Sequence, residues 1–161
     1  LDDMLVKHVL DSLSIKNFLI GKKILDVGSG AGLPSIPLAV TCPNKEFLLL
    51  DANNKKVIFL NHVKINLAIK NINPIHARIE DFNNETSFDT VICRSYASLS
   101  KIYINSKKNL KDKGIIIAMK GKIPHQEIEE LESLNKNVSL KVEKLDVPGL
   151  EAERHAVIIK K

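Results

Sequence analysis

The stretch Lys22-Lys23-Ile24-Leu25-Asp26-Val27-Gly28-Ser29-Gly30-Ala31-Gly32-Leu33 decides the fold of this chain. Its apolar run at 24–27 is typical of a buried strand, and Asp26 lies at the end of that run. Three glycines then alternate with small residues, and the segment 33–40 predicts the start of a helix. A strand that turns through glycines into a helix forms a cradle, because glycine adopts positive φ and lets a ligand approach the main chain. The N–H groups of the first helical turn remain available to that ligand.

The spacing of these glycines separates two classes of ligand. A dinucleotide site has the pattern G-x-G-x-x-G, whereas here Gly28, Gly30 and Gly32 follow G-x-G-x-G and Leu33 occupies the last glycine position of the dinucleotide pattern. With Asp26, the pattern D-x-G-x-G-x-G resembles the first motif of S-adenosylmethionine-dependent methyltransferases. Asp51 ends the next apolar run, where a carboxylate can accept two hydrogen bonds from a ribose. The alternative is that the glycines form a plain connection between a strand and a helix.

Length and composition favour one α/β domain over residues 1–161, since the chain has 161 residues of which 44% are hydrophobic. The formal net charge of +5 fits an anionic partner such as nucleic acid, although a Lys- and Asn-rich genome gives the same balance. No apolar run approaches the roughly 18 residues of a membrane span, and no secretory signal is visible, so we expect a cytoplasmic protein. Because the chain begins with Leu, we expect that an N-terminal segment of the full-length protein is missing. Cys42 and Cys93 adjoin apolar runs and predict buried, reduced thiols.

Strands and helices are predicted to alternate along most of the chain. We expect strands at 23–27, 46–51, 73–77, 88–93, 114–120, 138–146 and 154–160, and helices at 2–19, 33–41, 54–69, 98–110 and 124–135. Alternation of this kind indicates a doubly wound parallel sheet. The last two strands have no helix between them, and the turn Val147-Pro148-Gly149 predicts an antiparallel pair at the edge.

Six segments in order extend the resemblance over essentially all 161 residues. They are 5–12 (LVKHVLDS), 30–38 (GAGLPSIPL), 77–80 (ARIE), 93–99 (CRSYASL), 119–122 (MKGK) and 150–155 (LEAERH). With them the chain is similar to the RsmG (GidB) family, whose members methylate N7 of one guanine in bacterial 16S ribosomal RNA. The family usually has a further N-terminal segment. Ser35 stands where many members have glycine, and Tyr96 where they often have phenylalanine.

The resemblance implies a fold, a cofactor and a partner. The fold is a Rossmann-like class I S-adenosylmethionine-dependent methyltransferase, with a seven-stranded, mostly parallel sheet and an antiparallel terminal strand. The donor is S-adenosyl-L-methionine, and the product is S-adenosyl-L-homocysteine. The partner is 16S ribosomal RNA or the small ribosomal subunit. Apart from the resemblance, we expect a monomer and no membrane partner, although the sequence does not fix the oligomeric state.

The expected donor site combines the glycine loop with the ends of the following strands. Its residues are Asp26, Gly28, Gly30, Gly32, Leu33, Asp51, Ile79, Glu80 and Arg94. Leu33 is expected near the methionine part of the donor, Ile79 against the adenine ring, and polar groups around Glu80 at the exocyclic amine. Arg94 matches the arginine of the family's R-[AS]-[FY]-A segment, and an arginine at this strand end can form a fork to the donor carboxylate or to a phosphate. The alternatives are a solvated loop carboxylate for Glu80 and a surface strand cap for Arg94.

Three basic residues are RNA-binding candidates: Lys120, Lys122 and Arg154. Solvated lysines are the alternative interpretation of the first two. The histidines show no metal-ligand spacing, so no metal is expected. No catalytic residue can be assigned, and none is required as a base, because N7 of guanine already carries a lone pair that faces the major groove.

Two other function classes remain open at this stage. A methyltransferase that acts on a small molecule or a protein would have a closed pocket and no RNA dependence. A non-enzymatic RNA-binding or dinucleotide-binding domain would bind no methyl donor, and it fits the glycine spacing poorly.

Overall fold

The computed structural model describes residues 4–83, 87–94 and 97–160. Within these ranges the chain forms one seven-stranded sheet with helices on both faces. The strands are β1 (Lys23–Val27), β2 (Glu46–Asp51), β3 (Ile72–His76), β4 (Phe88–Arg94), β5 (Leu110–Lys120), β6 (Ser139–Lys144) and β7 (His155–Lys160). Each lies close to its predicted position. The largest difference is in β5, which begins four residues before the predicted start at 114.

The strand order is β3-β2-β1-β4-β5-β7-β6. All pairs from β3 to β5 are parallel, and β7 is antiparallel to both of its neighbours. The order reverses between β1 and β4, where the chain leaves the two strands toward opposite edges of the sheet. In an open α/β sheet, ligands bind at this switch point, outside the carboxyl ends of the strands. The glycine loop follows β1 and therefore lies at the switch point.

In the described part of the chain, five α-helices connect or flank the strands. They are α1 (Asp11–Leu13), α2 (Ser35–Thr41), α3 (Asn54–Asn66), α4 (Leu99–Ser106) and α5 (His125–Leu134). Asn53 caps α3, because its side chain accepts a hydrogen bond from the Lys55 N–H at 2.9 Å. Ser98 caps α4 by accepting from the Lys101 N–H at 3.4 Å.

The N-terminal segment differs from the prediction of one helix over 2–19. Of its described part, Leu5–Leu10 is a π-helix, α1 is a short α-helix, and Lys16–Phe18 is a 3₁₀ turn. Sequence periodicity of apolar residues identifies a helical segment but does not distinguish these hydrogen-bonding patterns. In this segment the acidic residue Asp11 is buried.

Two apolar clusters cover the two faces of the sheet. Alternate residues of a strand belong to different clusters, so that Ile24 packs in one and Leu25 in the other. Central parallel strands are apolar on both sides for this reason. Cys42 and Cys93 are buried free thiols, as predicted, and burial raises the pKa of the Cys93 thiol to about 12. In the described part of the chain, no helix has the length and apolar character needed to cross a membrane.

Candidate active site

The glycine loop turns tightly over the carboxyl ends of β1 and β2. Gly28, Gly30 and Gly32 have φ values of +75°, +57° and +88°, which L-residues with side chains rarely adopt. The N–H groups of Gly28 and Ser29 both donate to the Leu50 carbonyl, at 2.8 and 3.1 Å. The loop is therefore anchored to β2, and the three predicted glycines are required by its backbone geometry.

Gly30 and Gly32 face different surroundings. A Cβ atom on Gly30 would meet nothing closer than the Gly28 carbonyl oxygen at 3.8 Å. A Cβ atom on Gly32 would lie 2.1 Å from Ile36 Cδ1 and 3.0 Å from Leu60 Cδ2. Gly30 thus leaves open space for a ligand, whereas Gly32 allows the loop to pack against α2 and α3. The structure places Gly32 in the packing and not in the lining of the donor cavity that sequence analysis assigned to it.

Asp26 lies beneath the loop and is completely buried. Neither of its carboxylate oxygens has a hydrogen-bond partner among the described residues, and the nearby buried Ser35 hydroxyl also has none. Burial raises the pKa of Asp26 to about 7, although the neighbouring Ser35 and Ser29 hydroxyls and the Arg94 guanidinium partly oppose this rise. Its position makes Asp26 a support under the loop rather than a lining residue of the cavity.

Asp51 ties the loop to the start of α3. Its Oδ2 atom accepts from the Gly30 N–H and its Oδ1 atom from the Asn53 N–H, both at 2.8 Å. The Lys56 Nζ atom lies 4.0 Å from Oδ2. Because an ionised carboxylate has about four lone-pair sites, two remain for the hydroxyl groups of a ribose.

Two cavities meet at the glycine loop, and Gly28 lines both. The larger has a volume of about 630 Å³ and is lined by Gly30, Leu33 and Arg94 of the predicted donor site. The smaller has a volume of about 180 Å³ and is lined by Ile79 and Glu80. Volumes of several hundred cubic ångströms are typical of small-molecule sites. An elongated ligand can therefore run from one cavity past the loop into the other.

The smaller cavity has an apolar wall and a polar rim. Ile79 is buried in the core and contributes to that wall. Glu80 is exposed, and its Oε1 atom accepts from Asn105 Nδ2 of α4 at 3.0 Å. The Lys108 ammonium donates to the Glu80 carbonyl at 2.8 Å. The structure thus holds the Glu80 segment against α4 at the mouth of the cavity.

Arg94 lines the larger cavity at the end of β4 and is paired with a residue that sequence analysis did not assign to the site. Its Nη1 atom lies 3.5 Å from Oδ2 of the buried Asp11. The other oxygen of Asp11, Oδ1, lies 3.2 Å from Nε of Arg154. Arg94 is thus not a surface strand cap, and one buried carboxylate joins the two arginines. Both guanidinium groups retain N–H donors beyond these contacts.

The three RNA-binding candidates have different environments. Lys120 is largely buried and donates to both carboxylate oxygens of Glu127, at 3.0 and 2.8 Å, and to the Ala97 carbonyl at 3.1 Å. Its ammonium therefore contacts groups of the protein itself, although Lys120 also lines the larger cavity, and its role in RNA binding stays a prediction. Arg154 lines the larger cavity, whereas Lys122 is exposed on the segment after β5 and is not among the residues that line it.

Several lining residues of the larger cavity were missed by sequence analysis, namely Lys7, His8, Asp11, Lys56, Met119 and Gly121. The N-terminal ones belong to the segment 5–12, which was quoted for the family resemblance but given no role. Its position over the strand ends is a long-range feature without a local signal. Among the described residues there is no group of three or more metal-ligating side chains.

The comparisons with known proteins agree with one another. A family model described as rRNA small subunit methyltransferase G (GidB) matches residues 1–157. A ribosomal RNA small subunit methyltransferase G from Salmonella arizonae is 46% identical over 159 residues, which are 98% of this chain and 75% of that protein. Its counterpart from Methylococcus capsulatus is 44% identical over 153 residues, which are 95% of this chain and 73% of the relative. A solved methyltransferase from Aquifex aeolicus, described as SAM dependent, superposes with a TM-score of 0.74 at 14% identity, over 99% of this chain and 93% of that one, which shows the shared fold.

Proposed function

Because the chain belongs to the GidB family of small-subunit ribosomal RNA methyltransferases, we propose that it transfers the methyl group of S-adenosylmethionine to N7 of one guanine in bacterial 16S ribosomal RNA. The observation that carries this proposal is the glycine loop at the switch point, where Gly28 lines both cavities and Gly30 leaves open space. A dinucleotide fingerprint would have a third glycine at the position of Leu33, where it allows the helix to pack closely on the strand.

The residues present fit the donor in both cavities. The two remaining acceptor sites of Asp51 suit the ribose hydroxyl groups, and the wall formed by Ile79 suits the adenine ring, with Glu80 at its polar edge. Leu33 and Gly30 flank the space for the methionine part. Arg94 offers its free N–H groups to the donor carboxylate, and a planar fork suits that anion better than an ammonium does. Asp26 supports the loop from below.

The reaction needs positioning more than proton transfer. The bound donor supplies an electrophilic methyl group, and guanine N7 supplies a lone pair, so no base has to remove a proton. The chain's own contribution is to hold the base in line with the methyl group and to exclude water, which lowers the barrier through orientation and electrostatics. The described lining of the cavity contains no cysteine, and the Ser29 hydroxyl donates to the Asp26 and Leu50 carbonyls rather than to His8.

Charge favours an RNA substrate over a small neutral molecule. Among the described residues that line the larger cavity, Asp11 is the one carboxylate, and the basic residues are Lys7, Lys56, Arg94 and Arg154, besides Lys120, which pairs with Glu127. A basic cleft raises the local concentration of polyanions and speeds their association.

We propose that the protein acts as a monomer in the cytoplasm, on 16S ribosomal RNA either free or within the small subunit. Methylation assays with both substrates distinguish these two forms.

Calorimetry and salt titration test the function. S-adenosylmethionine and S-adenosylhomocysteine should bind, and NAD should not. Methylation of ribosomal RNA should weaken steeply with salt, since binding releases counterions from phosphates. Binding of NAD without binding of the methyl donor would contradict the proposal. Activity that does not depend on salt would favour the alternative methyltransferase of small molecules.

A further inference from the structure

Asp11 is the one buried carboxylate among the described residues that line the larger cavity. Its side chain is 4% exposed, and its two oxygens contact guanidinium groups from two separate segments of the chain. Arg94 ends β4, and Arg154 precedes β7. The N-terminal segment thereby connects two cationic groups that are far apart in the sequence and that line the same cavity.

The geometry of these contacts leaves most of each guanidinium free. Asp11 Oδ2 lies 3.5 Å from Nη1 of Arg94, and Oδ1 lies 3.2 Å from Nε of Arg154 without a hydrogen bond among the described residues. Arg154 also donates from Nη1 to the Glu153 carbonyl at 2.9 Å. A guanidinium has five N–H donors, so both arginines can bind a further anion while they remain in contact with Asp11. A bidentate pair with Asp11 would have used more of these donors.

From this arrangement we propose that Asp11 is a positioning residue, which holds Arg94 toward the donor carboxylate and Arg154 toward an RNA phosphate. The inference rests on the proposed function for the identity of the two anions. Two guanidinium groups in one cavity repel each other, and long arginine side chains lose conformational freedom when they are fixed. A buried carboxylate between them offsets the repulsion and limits the rotamers of both.

A simple neutralising role for Asp11 makes the opposite prediction. If the carboxylate only reduced the positive charge of the cavity, its removal would increase the attraction for anions. If it positions the arginines, its removal releases them and anion binding weakens. The sign of the change in affinity therefore separates the two roles.

Two variants with different chemistry test this inference by calorimetry with S-adenosylhomocysteine. Asp11→Asn keeps the shape of the side chain and removes its charge, whereas Asp11→Glu keeps the charge and shifts the oxygens. We expect each to lower the affinity about tenfold, because misplacing a binding group by about 1 Å has effects of this size or larger. Parental affinity in Asp11→Glu, or parental or tighter binding by Asp11→Asn, would overturn the proposal. The Glu variant provides the answer alone if Asp11→Asn does not fold.

A double mutant shows whether Asp11 acts through Arg94. Arg94→Ala should lower the affinity for S-adenosylhomocysteine, and adding Asp11→Asn should cause little further loss, since groups that act as a unit are not additive. Losses that multiply would overturn the inference. The same approach tests whether Asp11 acts through Arg154. Asp11→Asn and Arg154→Ala should each raise the KM for ribosomal RNA, and the KM of the double mutant should not exceed the larger of the two single-mutant values.

Asp89 provides a matched control outside the cavity. Its carboxylate pairs with Lys111 at 2.7 Å and accepts the N–H groups of Lys22 and Lys23, both at 2.9 Å. Asp89→Asn should lower the melting temperature without changing the affinity for S-adenosylhomocysteine. If the parent protein binds no S-adenosylhomocysteine, the proposed function fails. If the parent binds it and methylates RNA while both Asp11 variants behave like the parent, only the positioning role fails.

Discussion

Gly30 and Gly32 are two residues apart in one loop, yet a side chain at each would have different consequences. The space above Gly30 is open, and the space above Gly32 is filled by Ile36 and Leu60. The motif by itself assigned both glycines to the donor site, because spacing does not show which way a residue faces. At the residue scale, the site therefore depends on Gly30 for access and on Gly32 for packing.

Alanine at these two positions should separate binding from stability. Both residues have positive φ, so each substitution costs about 1–2 kcal/mol of the free energy of unfolding. Gly32→Ala should cost a further 1–3 kcal/mol or so through overpacking, because its Cβ atom would overlap Ile36. Gly30→Ala should instead reduce the affinity for S-adenosylhomocysteine. Urea unfolding and calorimetry measure the two effects, and parental affinity in a folded Gly30→Ala protein would argue against a ligand at this glycine.

Asp26 should make the stability of the protein depend on pH. Its pKa rises from 3.8 to about 7 on folding, so the folded state holds a proton that the unfolded state releases between these values. Stability should fall as the pH rises from about 4 to about 7 and then level off, by on the order of 4 kcal/mol at most, since one pKa unit corresponds to about 1.4 kcal/mol.

The variant Asp26→Asn should remove this part of the pH dependence. Its free energy of unfolding should change less between pH 5 and pH 8 than that of the parent, when both are measured by urea denaturation without ligand. The same change in both proteins would show that Asp26 does not titrate in this range.

At the scale of elements, α5 is linked to the end of β5 and to the start of α4. Glu127 of α5 accepts from the Leu99 N–H at 2.8 Å and pairs with Lys120 of β5, which also donates to the Ala97 carbonyl. A carboxylate at a helix N-terminus is favoured by the free N–H groups and the helix dipole. This contact fixes the segment that leads from Arg94 into α4 at residues 97–99.

Removing this carboxylate should destabilise the protein and the site together. Glu127→Gln should lower the free energy of unfolding by about 1–3 kcal/mol, the range for hydrogen bonds to charged groups that are partly shielded from water. The Glu143–Lys141 pair provides the control, because its lysine side chain is 72% exposed. Glu143→Gln should change the free energy of unfolding by about 1 kcal/mol or less. Equal effects of the two substitutions in urea denaturation would contradict a structural role for the Glu127 contacts.

Local sequence patterns predicted the elements better than their long-range arrangement. Apolar runs located β1 and β2 at their observed bounds, since a central parallel strand must be apolar on both faces. The turn at 147–149 predicted the antiparallel pair of β6 and β7, but not that β7 lies between β5 and β6. That order is decided by which strand buries more apolar surface, and β7 is almost fully buried whereas β6 is not.

In the candidate site, too, features set by local sequence were predicted and features set by long-range contacts were missed. The glycine loop and Asp51 were found because they are close in sequence and follow a known spacing. Asp11 was missed because a buried acidic residue in a helical segment has no local signal. Its partners lie far along the chain, at the end of β4 and at the end of the β6–β7 connection. Lys120 was named an RNA-binding candidate because the sequence does not reveal that it pairs with Glu127.

At the scale of the whole molecule, the sheet brings together residues that are far apart in the sequence and that contribute to different parts of the site. The loop after β1, the acidic end of β2, the tip of β3 and Arg94 at the end of β4 surround the cavities proposed for the donor. Arg154, in the segment before β7, lines the side proposed for RNA. With a formal net charge of +5, the molecule attracts a polyanion from a distance, and the switch point then selects where chemistry can occur.

The most direct test of this account is to map the modified nucleotide in 16S ribosomal RNA from cells with and without the gene. We expect one guanine to carry a methyl group at N7 only when the gene is present, and we expect a Gly30→Val copy to restore it poorly or not at all. Methylation that is unchanged without the gene would contradict the account. So would a gene-dependent methyl group on N1, N2 or O6, because those positions require removal of a proton, for which no catalytic base has been assigned.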